Sequence, residues 1–558
     1  MCGIFSLLNI SDTHVLFTDE FIKYQFQAGK SRGPEHSVLK NVSIRVKFGF
    51  HRLAINGLND TSNQPICIDN IILICNGEIY NYKELYKLMH INKEDIQTDS
   101  DCEIIIHLYK KYGMQQTLKM LDGVFAFCLC DNRIINTCLT STIYVARDPY
   151  GVRPLYSLKP LLYNKLIGFA SELKMLTEFS DADPSKAYIV PFTPGTYSKY
   201  VIQNKVLSNW TPMLENIKYH EPVFSLISSN CNDNPEKIVH GIQHYLIEAV
   251  QKRYATTERP IACLLSGGLD SSLITALVNE EHKKHSSQPL ETYSIGLKGS
   301  EDLRCARMVA EYLGTNHTEI IVSENEMFSI IPQVIYAIES YDTTTVRASI
   351  GNYLLGKHIS ENSSAKVIFN GDGSDEICGG YLYMNLCPDP IEFDMETRRL
   401  LKDIHLFDVL RSDRCISSHG LEPRTPFLDR SFVDFYLSIP SKIKYDNPEK
   451  YLLRSAFSIE NYHNSGGIQL LPNSVLWRRK EAFSDGVSGT DKSLYKILQE
   501  YISVEMDLYP PSIEIEKKYY KDMFLSYYPS SAEIIPYYWM PKYTKNATDP
   551  SARTLSIY

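Results

Sequence analysis

Through about residue 205 the apolar positions fall in short, often β-branched runs cut by Gly, Asn, Asp and Pro, with helices predicted near 16–30, 82–90 and 101–113. This pattern predicts an α+β layered half in which Ile71 to Cys75 is a buried strand. Between about 206 and 236 the periodicity fades, and the polar, turn-rich stretch from Ser225 to Pro235 reads as a connection between domains. An apolar helix over 236–252 follows, then a strand over 261–265. Strand 290–297, helix 301–313, strand 317–322, helices near 326–339 and 347–361, and strand 366–370 come next. Such alternation predicts a parallel sheet covered on both faces, with ligands at the carboxyl ends of its strands. Segments 395–415, 430–440 and 449–459 read as helical and mostly structural. The expected division is therefore 2–205, a linker 206–236, and 237–558.

Composition narrows the classes. The chain has 558 residues, 44% hydrophobic and 22% charged, with net charge −9, which fits two to four domains with ample core. The mild acidic balance and the lack of a Lys/Arg block argue against nucleic acid as partner. No apolar run approaches the ~18 residues of a membrane span, and no basic segment leads into an apolar stretch at the start. A cytoplasmic protein is expected. Thirteen cysteines without a CxxC pair fit free thiols rather than a disulfide frame or zinc site. Two decoys drop out. Gly29-Lys30-Ser31 lacks the earlier glycine of a phosphate loop, since Tyr24 stands there, and the histidines of His282-Lys283-Lys284-His285 have no partners at ligand spacing.

The chemistry starts at Cys2, directly behind Met1. Removing one residue would leave an α-amine and a thiol on the same carbon, and an α-amine with pKa near ~8 can relay the thiol's proton. Asn76-Gly77 closes the apolar run 71–75, so an amide and a glycine N–H are expected in a turn at a strand's end, where an oxyanion could bind. Arg52 can grip a carboxylate with its planar fork, and Asp101 can hold an ammonium. Together these groups suit an α-amino acid.

In the second half, Ser266-Gly267-Gly268-Leu269-Asp270-Ser271 lies between a strand and a helix. Its glycines and hydroxyls at a helix N-terminus make a phosphate cradle, yet no lysine follows the glycines. Another acidic loop, Asn370-Gly371-Asp372-Gly373-Ser374-Asp375-Glu376, follows strand 366–370, so Asp270 and Asp375 are expected to hold Mg²⁺ against phosphates. The stretch Trp477 to Gly486 brings cations, Lys480 among them, toward the same region.

These motifs carry a resemblance. Over about residues 1–190 the chain resembles the class II glutamine amidotransferases, the N-terminal-nucleophile glutaminases, which implies a four-layer α/β/β/α sandwich with Cys2 attacking a glutamine amide. Asn76 and Gly77 would then form the oxyanion hole, and Arg52, Leu53, Ala54, Ile55, Asn56, Glu78 and Asp101 would hold the substrate. Arg32-Gly33-Pro34-Glu35 departs from the usual motif only by Glu for Asp. The second half resembles the ATP-pyrophosphatases, and the two in this order resemble the eukaryotic-type glutamine-dependent asparagine synthetases. That implies glutamine, aspartate and ATP as substrates, an internal ammonia tunnel and a homodimer. By similarity Leu265, Ile295, Asn370 and Gly371 line the ATP site, Ser266, Gly267, Gly268, Asp270 and Ser271 surround pyrophosphate, and Thr344 and Arg347 serve the aspartate side. Lys480 would neutralise phosphate and adenylate charge. The family usually has serine and glutamate where this chain has Asn370 and Asp372. The shorter carboxylate amounts to about 1–1.5 Å of reach, and misplacement by ~1 Å can cost ~10²-fold in rate. Alternatives are amide transfer to a phosphosugar, which lacks its required second domain here, a β-lactam-forming relative, which would not need Cys2, and a glutamine-sensing protein without catalysis, against which Cys2, Asp270, Asp375 and Lys480 argue.

Overall fold

The computed structural model describes residues 1–10, 17–133, 140–161, 165–181, 187–202, 208–222, 234–445, 448–480, 486–488, 493–544, 547–551 and 554. Two six-stranded antiparallel sheets build the first half. One runs Ala187–Pro191, Tyr156–Pro160, Ile167–Ala170, Gly3–Leu8, Val46–Arg52, His36–Ser43. The other runs Thr211–Lys218, Thr196–Ile202, Ser141–Arg147, Gly123–Asp131, Ile71–Ile79, Ile66–Ile68.

Alternation within Gly3–Leu8 explains the layering. Ile4 and Leu8 join Phe48, Phe50, Ile74 and Val145 in a core between the sheets. Phe5 and Leu7 turn the other way, toward Ile22 and Phe26 of helix Asp19–Gln27. The outer face of the other sheet puts Leu73, Phe125 and Phe127 against helices Tyr82–Met89 and Ile104–Met120. The result is the four-layer α/β/β/α sandwich that the resemblance implies.

The second half holds a five-stranded parallel sheet ordered Asn316–Val322, Glu291–Leu297, Ile261–Leu264, Val367–Phe369, Glu422–Arg424. From the central strand Ile261–Leu264 the chain builds outward in one direction and then returns to the opposite side. The loops after Leu264 and Phe369 therefore leave the carboxyl edge side by side where the order reverses, the place where such sheets bind ligands.

Several expectations change in detail. Part of the expected linker is an edge strand, Thr211–Lys218, almost wholly exposed, so no buried face leaves an apolar signature. Residues 206–207 and 223–233 of that linker lie outside the described residues. Segment 395–415 divides into helices Pro390–Asp403 and Asp408–Ser417. Segment 326–339 divides into Glu324–Ser329 and Ile331–Ile338, where Pro332 at the second helix's first turn supplies no N–H.

The two halves meet through buried charge. Arg32 pairs with Asp413 at 2.7 Å, Arg414 with Glu172 at 3.2 Å, and Lys174 with Glu339 at 3.6 Å. Removing one member of such a pair strands its partner, at a cost of roughly 3–5 kcal/mol. The contact therefore fixes register between the halves.

Candidate active sites

The first site forms where the opening strand meets its neighbour. Gly3 pairs with His51, so the antiparallel register carries Cys2 to the level of Arg52, and Cys2 Sγ lies 3.6 Å from the Leu53 carbonyl. Cys2 packs against the core between the sheets, into which Ile74 points. Period-two alternation puts Asn76 and Glu78 on that same face of strand Ile71–Ile79. Asn76-Gly77 is thus not a turn: both residues sit within the strand, opposite Ala126 and Phe125. The glycine is required because a Cβ there would come within 2.5 Å of the Val124 carbonyl. The Asn76 amide is fully buried, and neither its nitrogen nor its oxygen has a partner. Leaving such a group unpaired costs about 1–3 kcal/mol, which suits a donor reserved for charge that develops only when substrate reacts.

Around this centre the expected residues gather. Ala54 N donates to Glu35 Oε2 at 2.7 Å, Asn56 Nδ2 donates to Glu78 Oε2 at 2.6 Å, and Ile79 N donates to Asp101 Oδ2 at 2.5 Å. The Ile55 carbonyl accepts from Glu258 N at 3.0 Å, which ties the loop's back to the second half. Arg52 is differently occupied than its sequence suggested. Its terminal nitrogens donate to Asn59 O at 2.9 Å, Asn63 Oδ1 at 2.8 Å, Asn56 O at 3.3 Å and the Gly57 carbonyl, so a substrate carboxylate would have to displace these.

Burial pushes Asp101 up to about 6 and, with Glu422 and Asp101 nearby, lifts Glu78 well above the usual carboxylate range. A carboxyl that binds an ammonium, the role the resemblance implies for Asp101, is competent above its pKa and fails below it. kcat/KM for glutamine hydrolysis is therefore expected to fall as pH drops through about 6, approaching about tenfold per unit. Asp101→Asn should lower kcat/KM and remove that acid limb, which a pH–rate profile reads directly.

The other site lies at the switch point of the parallel sheet. Gly267 has φ +75° and a Cβ there would meet the Ala306 nitrogen at 2.5 Å, so only glycine closes this turn. Helix Leu269–His285 starts at Gly268 without a side-chain cap, leaving its first N–H groups to the cleft. Ser266 and Ser271 hydroxyls lie 3.0 Å apart, and Ser374 Oγ donates to Asp270 Oδ1 at 2.9 Å. Asp375 arrives from the neighbouring loop. Lys450 Nζ stands 2.6 Å from Asp270 and 2.5 Å from Asp375, while Lys480 Nζ stands 2.6 Å from Asp375 and 3.6 Å from Asp270. Burial works against both charges, but the lysines hold Asp375 well below the usual carboxylate range and the carboxylates raise Lys480.

Two carboxylates flanking a phosphate cradle suit Mg²⁺, which takes one or two acidic ligands and completes its shell with phosphate and water. Among the described residues no group of three or more His, Cys, Asp or Glu forms a protein cage. The donor set therefore fits an ion that arrives with a nucleotide.

Leu265, Ser266, Gly268, Asp270, Ser271, Ile295, Thr344, Asn370, Gly371, Asp372, Asp375 and Lys480 all line one cavity. The Gly267 carbonyl accepts from Arg478 at its edge, at 3.1 Å. Residues 481–485 of the cationic stretch lie outside the described residues. The Thr344 hydroxyl is buried without a partner. Arg347, expected on the aspartate side, does not line the cavity: Glu516 at 2.6 Å and Asp549 at 2.8 Å hold its guanidinium in the protein interior. Arg411 does line the cavity, 3.1 Å from Asp372 and 2.7 Å from Asp408. Arg411 and Lys450 are absent from the sequence reading, because each sits in a segment whose pattern spoke only of helix.

Burial raises the Asp372 carboxyl, against the pull of Arg411. Asn370 Nδ2 donates to Ser412 Oγ at 2.7 Å, and Asp372 N donates to Asn370 Oδ1 at 3.3 Å, so the shorter acid sits in a loop pinned at its own length. Asp372→Glu is expected to push the carboxylate past Arg411 and lower turnover at this site roughly 10- to 100-fold. Steady-state assay of synthesis alongside glutamine hydrolysis would show it, and equal turnover by the variant would remove the idea of a fitted loop.

Comparison with known proteins matches this geometry. The family model described as a glutamine amidotransferase domain matches residues 1–200, and the one described as asparagine synthase matches residues 241–390 and 385–533. Proteins called asparagine synthetase (glutamine-hydrolyzing) from Bos taurus, Gallus gallus and Homo sapiens are each 39% identical to this chain, over 100% of it and 99% of their own length.

Proposed function

The chain belongs to the glutamine-hydrolysing asparagine synthetase family, and from that premise we propose how its residues divide the work. The protein is a ligase that makes asparagine from aspartate, glutamine and ATP. Residues 2–205 form the glutaminase unit, 206–236 the connection and 237–558 the synthetase unit, a division supported by the spans of the two matched families.

Cys2 attacks the glutamine side-chain amide. Burial pushes its thiol up to about 11, so the attack needs a proton acceptor close by. Loss of Met1 would provide one as the α-amine of Cys2 itself. Asn76 and the Gly77 N–H receive the oxyanion, while Arg52, Leu53, Ala54, Ile55, Asn56, Glu78 and Asp101 hold the substrate's α-carbon groups. Ammonia leaves, and water hydrolyses the glutamyl thioester.

A carboxylate is a poor electrophile, so the aspartate β-carboxylate attacks the α-phosphorus of ATP and expels pyrophosphate. Leu265, Ile295, Asn370 and Gly371 seat the nucleotide, and Ser266, Gly267, Gly268 and Ser271 cradle the departing pyrophosphate. Asp270 and Asp375 would hold Mg²⁺, which supplies charge neutralisation there. Lys480 adds its own charge, Thr344 and Arg411 serve the aspartate side, and Asp372 positions Arg411. Ammonia then attacks the acyl-adenylate and AMP leaves. Because NH₄⁺ is no nucleophile, internal passage of NH₃ avoids its loss to protonation. The nucleophile's end supports this route, since the Met1 amine lies 3.4 Å from the Leu421 carbonyl, beside the synthetase sheet. Cytoplasmic residence and a homodimer complete the reading. The family resemblance supports both, and among the described residues no helix is long and apolar enough to cross a membrane.

The observation that carries this reading is one chain holding both the unpartnered Asn76 amide, on the strand face turned to the core that Cys2 packs against, and the lysine-bridged Asp270–Asp375 pair. One assay tests it: AMP, pyrophosphate and asparagine measured with glutamine or ammonium as nitrogen source. Failure to split ATP into AMP and pyrophosphate with aspartate and Mg²⁺ present would overturn it.

A further inference from the structure

We infer that Asp413, on the synthetase side, is a positioning residue for the glutamine-cleaving nucleophile, acting through Arg32; the inference rests on Cys2 being that nucleophile. Arg32 is fully buried in the turn Lys30–Arg32, and its Nε donates to the Cys2 carbonyl at 2.9 Å. Its other nitrogens fix its direction. Nη1 donates to Asp413 Oδ2 at 2.7 Å and Nη2 to Asp413 Oδ1 at 3.2 Å, a two-point grip that sets the plane of the guanidinium. Nη1 also donates to Ser417 Oγ at 2.8 Å and Glu172 Oε1 at 3.3 Å.

Of the acceptors of its terminal nitrogens only Glu172 comes from the glutaminase half. Asp413 and Ser417 stand one turn apart on helix Asp408–Ser417. The same helix sends Arg411 to Asp372 and Ser412 to Asn370 in the nucleotide cavity. One rigid element thus touches the adenylating loop and, through Arg32, the backbone of Cys2. Turning the guanidinium plane moves the Cys2 carbonyl, and with it the thiol relative to Asn76. Asp413 touches neither glutamine nor the reacting atoms, so its contribution is orientation alone.

The test uses the full chain. Asp413→Asn keeps size but loses the two-point charged acceptor. It should lower kcat for glutamine hydrolysis by roughly 10- to 100-fold and leave KM for glutamine and ammonium-dependent synthesis within about threefold. Asp413→Glu, which restores the charge, should recover part of the loss. Ser417→Ala, which removes one bond to Arg32, should move the same kcat in the same direction by about two- to fivefold, and it decides the matter if Asp413→Asn fails to fold. An unchanged glutaminase kcat in the folded variants, or equal losses in both reactions, overturns the inference. Glutamine hydrolysis that survives Cys2→Ala would instead overturn the reading beneath it.

Discussion

Cys2→Ala is expected to abolish asparagine formation from glutamine, by roughly 10³-fold or more, while synthesis from ammonium continues near the rate of the unaltered protein. The asymmetry follows from where the residue sits. Cys2 closes the edge of the sandwich core and touches the Leu53 carbonyl, whereas the carboxylates, lysines and serines that line the other cavity belong to the loops after Leu264 and Phe369 and to the segments around Lys450 and Lys480. Removing a partly buried thiol leaves the buried Arg32–Asp413 contact intact, since Arg32 reads the Cys2 carbonyl and not its side chain. An intact-mass measurement on the purified protein belongs with this assay, because retained Met1 would leave Cys2 without its amine. Loss of both nitrogen sources on Cys2→Ala would end the two-site division.

How much of this was legible in the sequence differs between the halves and follows physical lines. The switch-point loops were readable because phosphate binding leaves composition marks: Gly267 is forced by a left-handed φ, and Asp270 and Asp375 follow strands whose apolar runs are unmistakable. Asn76-Gly77 stands out in the sequence, but its pattern predicts a turn where the structure has a strand. Local chemistry favours a turn, and only the close approach of Val124 shows why a strand would carry glycine there. Strand Thr211–Lys218 was hidden because an exposed edge carries no alternation. That Arg411 lines the cavity and Arg347 does not was out of reach for a deeper reason. Both lie on helices, and which arginine faces solvent, core or cavity depends on packing against segments remote in sequence, as the grip of Glu516 and Asp549 on Arg347 shows. Lys450 had no signal at all, since its value lies in two acids brought to it by tertiary structure.

Lys480→Met should remove synthesis from both glutamine and ammonium by roughly 10³-fold, the scale of losing one preorganised charge at a developing anion, while glutamine hydrolysis persists. Two lysines share Asp270 and Asp375, and their surroundings assign them different work. The Lys450 side chain is 1% exposed and reaches both carboxylates at 2.6 Å or less, so it holds the pair in place. The Lys480 side chain is 20% exposed, closer to Asp375 than to Asp270, and lines the cavity, where it can turn from the carboxylates to incoming phosphates. Because Lys450 still neutralises the acids in Lys480→Met, the variant should fold, and a thermal melt close to that of the unaltered protein checks this. Pyrophosphate release then separates the steps. If Lys480 acts in adenylation, no pyrophosphate forms with either nitrogen source. If pyrophosphate appears at the ordinary rate while asparagine does not, the charge acts on the adenylate; ordinary rates of both would transfer the role to Lys450.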